Sequence, residues 1–271
     1  MSCWIQSVIY IPSFFSIVNM THEQSCNSPV QIDKIKLGIV CPMANEKNTA
    51  EDFVRDVLET CTGFRDVVFF VIFDRSCKDG TFDLLGSLPD KPGELRIIWA
   101  SENTCVVDAY IRGYREAINS DCDWILEIDA GFSHQPGDIP KFIRKMAEGY
   151  ECVFGSRFCR GGSFSESPFR RKFISRGGSL AANILLGTRL KDMTSGFELF
   201  TREALEKVLG KGIKSRGHFF QTEIKTYCRK MKIAEVPISY RAPSNNVNSS
   251  VLLDSFRHLL RLFYMRLAGR L

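Results

Sequence analysis

The chain carries none of the short signatures that mark the commonest nucleotide enzymes and hydrolases. No G-x-G-x-x-G follows its first apolar run and no G-x-x-x-x-G-K-[ST] occurs, which disfavours a dinucleotide-binding dehydrogenase and a P-loop phosphotransferase. G-x-S-x-G is absent, so a hydrolase nucleophile elbow has no support. The four histidines (His22, His134, His218 and His258) form no H-x-x-x-H ligand pair. Ten cysteines make no C-x-x-C pair, and Cys41, Cys152 and Cys228 sit inside apolar runs. They read as reduced, core-filling thiols of a cytosolic chain, and the sequons at Asn19 and Asn248 are then chance. A net charge of +5 over 271 residues is too small to argue for nucleic acid. No charged side chain precedes Glu23. The apolar stretch Trp4 to Val18 nevertheless lacks the basic start of a secretory signal. It is also short for a membrane span, which takes about 20 residues. Residues 1–33 read as a loosely attached or interfacial segment with a polar linker.

What is present is a strand–helix alternation. Apolar runs at Ile35–Cys41, Val67–Phe73, Leu95–Trp99, Trp124–Ile128 and Cys152–Phe154 alternate with helical periodicity at Thr49–Cys61 and Val106–Ile118. This predicts an α/β fold with a mixed, mostly parallel sheet flanked by helices on both faces. Asp138 is expected to cap the helix after the fourth strand. The second half is less regular. A helix is expected at Ile174–Leu186, another within Gly217–Met231, and an edge strand at Ile233–Ile238, because Pro237 cannot donate to a ladder. One sheet extended by a second-half hairpin is the expected architecture.

Chemistry concentrates at the ends of the first, second and fourth strands. Asn45-Glu46, Asp74 and Asp129 follow them, and in a parallel sheet those loops share one edge, where α/β proteins hold ligands. Asp79 and Gly80 suit a tight turn into a helix. Arg157, Arg160, Arg170, Arg171, Lys172 and Arg176 face a single acid, Glu166, over 20 residues, a composition that suits a phosphate-bearing partner. Near the C-terminus, Leu252, Phe256, Leu259, Leu260, Phe263 and Leu267 fall on one helical face, with Arg257, His258 and Arg261 opposite. Residues 242–271 thus read as a basic amphipathic helix, on a membrane surface or on the protein's own core.

Several short motifs occur in order: Pro42-x-x-Asn45-Glu46, Asp74 to Thr81, Asp129-Ala-Gly-Phe-Ser-His134-x-Pro136, Gly155-Ser-Arg157, Arg160-Gly-Gly162, Ile174-Ser-Arg176-Gly, Asp192-Met-Thr-Ser195-Gly-Phe197 and Glu235-Val-Pro-Ile238. Together they resemble the inverting family 2 glycosyltransferases, most closely the dolichol-phosphate mannosyltransferase and polyprenyl-phosphate glycosyltransferase branch. The resemblance implies a GT-A-like catalytic domain at 34–241. It places Pro42, Asn45, Glu46, Asp74 and Asp79 around the nucleotide, and Arg157, Arg171 and Arg176 on the diphosphate or the acceptor's phosphate. Ser195, Gly196, Phe197 and Glu223 fall at the sugar end. A divalent cation (Mg2+ or Mn2+) would sit on Asp129, with Glu127 or His134 able to assist.

Two positions depart from the pattern. Gly131 stands where the second metal acid usually lies, and Arg75 replaces a second acid after the second strand. Metal dependence is therefore less secure than the resemblance alone would imply. The implied reaction moves a hexose from a UDP- or GDP-linked donor to a polyprenyl phosphate, with inversion, at the cytoplasmic face of a membrane. A family 2 transferase acting on a saccharide or protein hydroxyl, and a non-catalytic nucleotide-sugar-binding scaffold, remain as alternatives.

Overall fold

The computed structural model describes residues 30–88, 94–165, 169–241 and 249–271, and all their side chains except those of 169–171 and 249–251. Up to Pro29 the apolar N-terminal segment lies outside the described residues. Strands β1 (Lys36–Pro42), β2 (Asp66–Phe73), β3 (Glu94–Trp99) and β4 (Trp124–Glu127) pair in parallel in the order β3-β2-β1-β4. Their apolar runs are buried on both faces, as parallel strands under two helical layers require.

The sheet then turns mixed. Strand β7 (Glu198–Thr201) inserts antiparallel between β4 and β5 (Cys152–Ser156), and β8 (Ile233–Pro237) closes the edge parallel to β5. The edge position of β8 and its Pro237 agree with the expectation. The expected second-half hairpin does not form: strand β7 pairs between two earlier strands rather than with a sequence neighbour. A short parallel pair, β6 (Ser163–Ser165) with β9 (Ser239–Arg241), makes a second sheet that periodicity over three residues could not reveal.

Helices α1 (Ala50–Thr60), α2 (Thr81–Gly86) and α4 (Ile139–Ala147) cover one face. Phe53, Val54, Val57 and Leu58 of α1 point inward onto Ile39, Phe69 and Val71, as the spacing predicts. Helices α3 (Val106–Asn119), α5 (Phe169–Leu186), α6 (Arg202–Gly210), α7 (Phe220–Cys228) and α8 (Ser249–Leu267) belong to the other face, where Val40, Phe70, Tyr114, Phe200, Ile224 and Leu262 share a core. Helix α6, unforeseen in the sequence, is capped by the Thr201 hydroxyl, which accepts from Ala204 N at 3.2 Å. Asp138 does not cap α4 with its side chain. Its carboxylate instead ties Lys141 Nζ at 2.6 Å and Ser239 N at 2.7 Å, joining α4 to β9.

One close approach sets the distance between α3 and the sheet. A Cβ on Gly113 would lie 2.3 Å from Val40 Cγ1. Gly113→Ala must therefore push α3 away, and we expect a loss of about 1–3 kcal/mol in urea unfolding, as for other overpacked cores.

Candidate functional site

The loops after β1 and β2 are laced into one unit. Asn45 Nδ2 donates to Ser76 O at 2.9 Å, and Asn45 Oδ1 accepts from Lys78 N at 2.9 Å. Asn45 sits at φ 58°, a left-handed geometry that asparagine tolerates better than most residues. Asp79 accepts from Lys47 N at 2.9 Å and from Thr81 N at 3.0 Å, so it ties the two loops and starts α2 together. Asp74 accepts from Ser76 N at 2.8 Å. The third loop joins them through Glu46, whose carboxylate lies against Gly131. Beneath this seam lies the Cys41 thiol. Burial raises its pKa well above the usual value, and the Asp129 and Glu46 carboxylates add to that.

Asp129 opens onto a cavity of about 580 Å³. Asp129, Arg157 and Thr194–Gly196 form its polar end; Val106, Val107, Ile174, Phe219, Phe220, Leu252, Phe256 and Leu259 form an apolar wall. The Asp129 side chain is 38% exposed and accepts from the buried Tyr110 hydroxyl. Burial, then the Asp129 charge, pushes the Tyr110 phenol well above its usual range, so it stays a donor.

The polar wall is braced by buried charge. Arg157 gives Asp192 three hydrogen bonds: N at 3.0 Å, Nε at 2.7 Å and Nη2 at 2.8 Å. Its guanidinium also lies over the Phe164 ring, 4.5 Å from the centroid. Burial pushes the Asp192 carboxyl up, but the Arg157 guanidinium outweighs it and brings it down to about 2. Glu235 of β8 accepts from Lys191 N at 2.9 Å and Asp192 N at 3.0 Å. The fully buried Lys225 of α7 donates to the Ser195 carbonyl and lies 2.9 Å from Glu198. Burial outweighs that lysine at Glu198, whose carboxyl is pushed up to about 7.

The glycosyl transferase family 2 model matches residues 38–209, which takes in most of β1, strands β2 to β7, the three loops and the braced turn. The chain belongs to glycosyl transferase family 2. It is similar to the undecaprenyl-phosphate mannosyltransferase of Micrococcus luteus, 30% identical over 172 residues, 63% of this chain and 70% of that protein. It is also similar to the polyprenol monophosphomannose synthase of Mycolicibacterium smegmatis, 25% identical over 209 residues, 74% of this chain and 76% of that one. Among solved structures, glucosyl-3-phosphoglycerate synthase from Mycobacterium tuberculosis with UDP matches at TM-score 0.60 and 19% identity, covering 86% of this chain and 80% of that one. The same synthase with Mg2+ and UDP matches at 0.59, covering 86% and 79%. That likeness concerns the fold, and it is GT-A. Family membership makes the chain a nucleotide-sugar-dependent glycosyltransferase and sets the scaffold reading aside.

Within this family 2 site the expected residues divide. Asp129, Arg157, Ser195 and Gly196 meet at the cavity; Pro42, Asn45, Glu46, Asp74 and Asp79 belong to the adjoining loop ledge and do not line it. Phe197 is fully buried, stacked on His134 with ring centroids 4.9 Å apart. Arg176 is exposed and lies over the Phe158 ring at 5.0 Å, outside the cavity lining. The side chain of Arg171 lies outside the described residues.

Three expectations need correction. Glu223 does not line the cavity: it is fully buried and accepts from Ser215 N at 2.8 Å, Tyr227 Oη at 2.8 Å and Arg261 Nη2 at 2.5 Å. Gln221 and Thr222, the two residues before it, take the lining place. Glu127 is no cation ligand, because both its oxygens are engaged, by Tyr114 and Gln221, with no exposure. His134 is not one either. Its Nδ1 accepts from Asp129 N at 3.1 Å, which leaves the proton on the buried Nε2, and burial lowers its pKa. Gln221, Tyr110 and Lys225 were missed because each sits at an ordinary helical position, with no local motif to single it out.

The Arg157–Asp192 pair generates a stability prediction. Asp192→Asn leaves a buried guanidinium short of its partner and should cost about 3–5 kcal/mol in denaturant unfolding. A carboxyl lowered in the native state stabilises above its ordinary 3.8, and loses that contribution as pH falls toward about 2. The wild-type advantage over Asp192→Asn should therefore shrink across that acid window.

Proposed function

We propose that the chain transfers a hexose from a UDP- or GDP-linked donor to a polyprenyl phosphate, with inversion. One observation carries this reading: the cavity joins a polar end at Asp129 and Arg157 to an apolar wall built from α3, α5, α7 and α8. An amphiphile with a charged head and a hydrocarbon tail matches that division. The two curated relatives are named for acceptors or products of that chemistry. A phosphate monoester has a second pKa of about 6, so it arrives largely dianionic and needs no strong base. The sequestration of His134 is consistent with this. A saccharide or protein hydroxyl would require proton removal and makes poor use of the apolar wall.

The chain's own residues then divide the work. Asn45, Glu46, Asp74 and Asp79 hold the nucleoside side on the laced ledge. Arg157 lines the cavity with Nη1 outside its bonds to Asp192 and Thr194, and in this reading it meets phosphate; Arg171 and Arg176 add charge on α5. Ser195 and Gly196 bound the sugar, with Phe197 supporting them. Fixing donor and acceptor in one cavity supplies alignment, the largest contribution available without covalent catalysis.

A divalent cation fits the chain at Asp129. Among the described residues, no group of three His, Cys, Asp or Glu gathers to cage an ion. Magnesium, however, binds through one or two carboxylates plus substrate phosphates, and Asp129 is a partly exposed carboxylate at the cavity. Bound there, Mg2+ or Mn2+ would neutralise charge on the departing diphosphate.

Residues 34–241 form the catalytic unit in this reading, and 242–271 its attached membrane-facing segment, which contains α8. Phe173, Leu180 and Ile184 of α5 and Leu253, Phe256, Tyr264 and Leu267 of α8 are exposed apolar side chains on two helices that pack together. None of the described helices is long and apolar enough to cross a membrane. The paired stripes support peripheral attachment, with Arg176 and Arg257 toward anionic headgroups, at the cytoplasmic face.

Radiolabelled donor should pass into butanol-extractable lipid when polyprenyl phosphate is supplied, and chelation should stop it until Mg2+ or Mn2+ is returned. Transfer to a saccharide with none to lipid would overturn the assignment. Ile184→Asp with Leu253→Asp should lower binding to anionic vesicles about tenfold or more, each burial being worth about 1.5–3 kcal/mol, while turnover of a short water-soluble prenyl phosphate stays near wild type.

A further inference from the structure

The loop after β4 turns through Gly131 at φ +68°, two residues beyond Asp129. A Cβ placed on Gly131 would lie 2.6 Å from Glu46 Oε2 and 2.7 Å from Oε1. The space a side chain at 131 would take is therefore filled by a carboxylate from the β1 loop. That carboxylate is held in place. Glu46 N donates to Thr81 Oγ1 at 2.9 Å, its carbonyl accepts from Ala50 N at 2.8 Å, and its Oε2 accepts from the Thr49 hydroxyl at 2.9 Å.

Glu46 and Asp129 thus stand on neighbouring loops, the first beside the position two residues beyond the second. Among the described residues no Lys, Arg or His lies within ion-pair distance of Glu46, and His134 is the one such group near Asp129, at 3.6 Å. Magnesium binds through one or two carboxylates plus substrate phosphates, and carboxylates on two neighbouring loops can supply both. We propose that Glu46 supplies the second protein carboxylate to the cation at Asp129, taking over from the β1 loop what the backbone position at Gly131 cannot offer. This rests on the cation reading above and extends it. It also gives Glu46 a task beyond the nucleoside side of the ledge. Cation binding would then lock the β1 and β4 loops together, so that ion and nucleotide meet on one seam.

The test is Mn2+ binding to the full-length chain, with the free ion followed by electron paramagnetic resonance, alone and with UDP or GDP. Glu46→Gln keeps the size of the side chain and an oxygen for Thr49, so the fold should hold; melting temperature checks this. Glu46→Gln and Asp129→Asn should each weaken Mn2+ binding by about tenfold or more, within the range seen when metal-site residues are altered. The double variant Glu46→Ala with Gly131→Asp moves the acid back to the β4 loop. Removing the Glu46 side chain vacates the space, and aspartate tolerates left-handed backbone, so this variant should recover most of the lost affinity. If Glu46→Gln binds Mn2+ as wild type does while Asp129→Asn does not, the role of Glu46 is overturned and the cation at Asp129 stands. If both bind as wild type does, the cation reading falls as well.

Discussion

The ion pairs buried behind the Asp192–Gly196 turn are the constraint on which this site depends. That turn has no regular hydrogen-bond ladder of its own, yet it forms one side of the cavity. Arg157 from the end of β5, Glu235 from β8 and Lys225 from α7 each bind it from a different direction. Burying such charges is expensive, and replacing them with apolar residues commonly leaves a protein as stable or more so. What they supply here is a single position for a backbone segment that must stay polar on its cavity side.

The same network shapes the local charge. Asp192 is held ionised by Arg157, whereas Glu198, facing Lys225 alone in a dry environment, is pushed up toward neutrality. Glu127 is also pushed well up, by burial and then by the Glu198 charge, with Tyr114 and Gln221 donating to it. Asp129 is the acid of this row that reaches the cavity. Sheet geometry explains the difference: Glu127 is the last residue of β4, under α3 and α7, while Asp129 has passed the sheet edge. Helix α8 closes the opposite wall. Its Arg261 pairs with Glu223 and its His258 stacks on Phe219, so these two face the protein and not solvent, contrary to the sequence-based helical wheel. With that inner face satisfied, Leu253, Phe256, Tyr264 and Leu267 remain outside.

Much of the fold was legible because parallel strands under two helical layers are apolar without interruption, and β1, β2 and β4 are such runs. The edge placement of β8 followed from the missing donor of Pro237. The insertion of β7 between β4 and β5 was not legible, since antiparallel and parallel partners leave the same four-residue pattern in sequence. Strand ends explain why Asp129 reaches the cavity and why the Asn45 and Asp74 loops lie beside one another. Glu223 lies only two residues beyond Gln221 yet turns away from the cavity, because helical periodicity alone does not say which face of α7 meets the cavity and which meets α8.

Sequence by itself determined the catalytic class and the strand ends that border the cavity, because strand ends and short ordered motifs are local properties of the chain. It also showed that Gly131 lacks an acid. Only the tertiary structure decided what stands in that space: the Glu46 carboxylate arrives from a loop 85 positions away in the chain. It likewise decided that His134 and Glu127 are closed off from a ligand. Burial and hydrogen-bond partners come from elements distant in sequence, and they set whether a polar group is free to act.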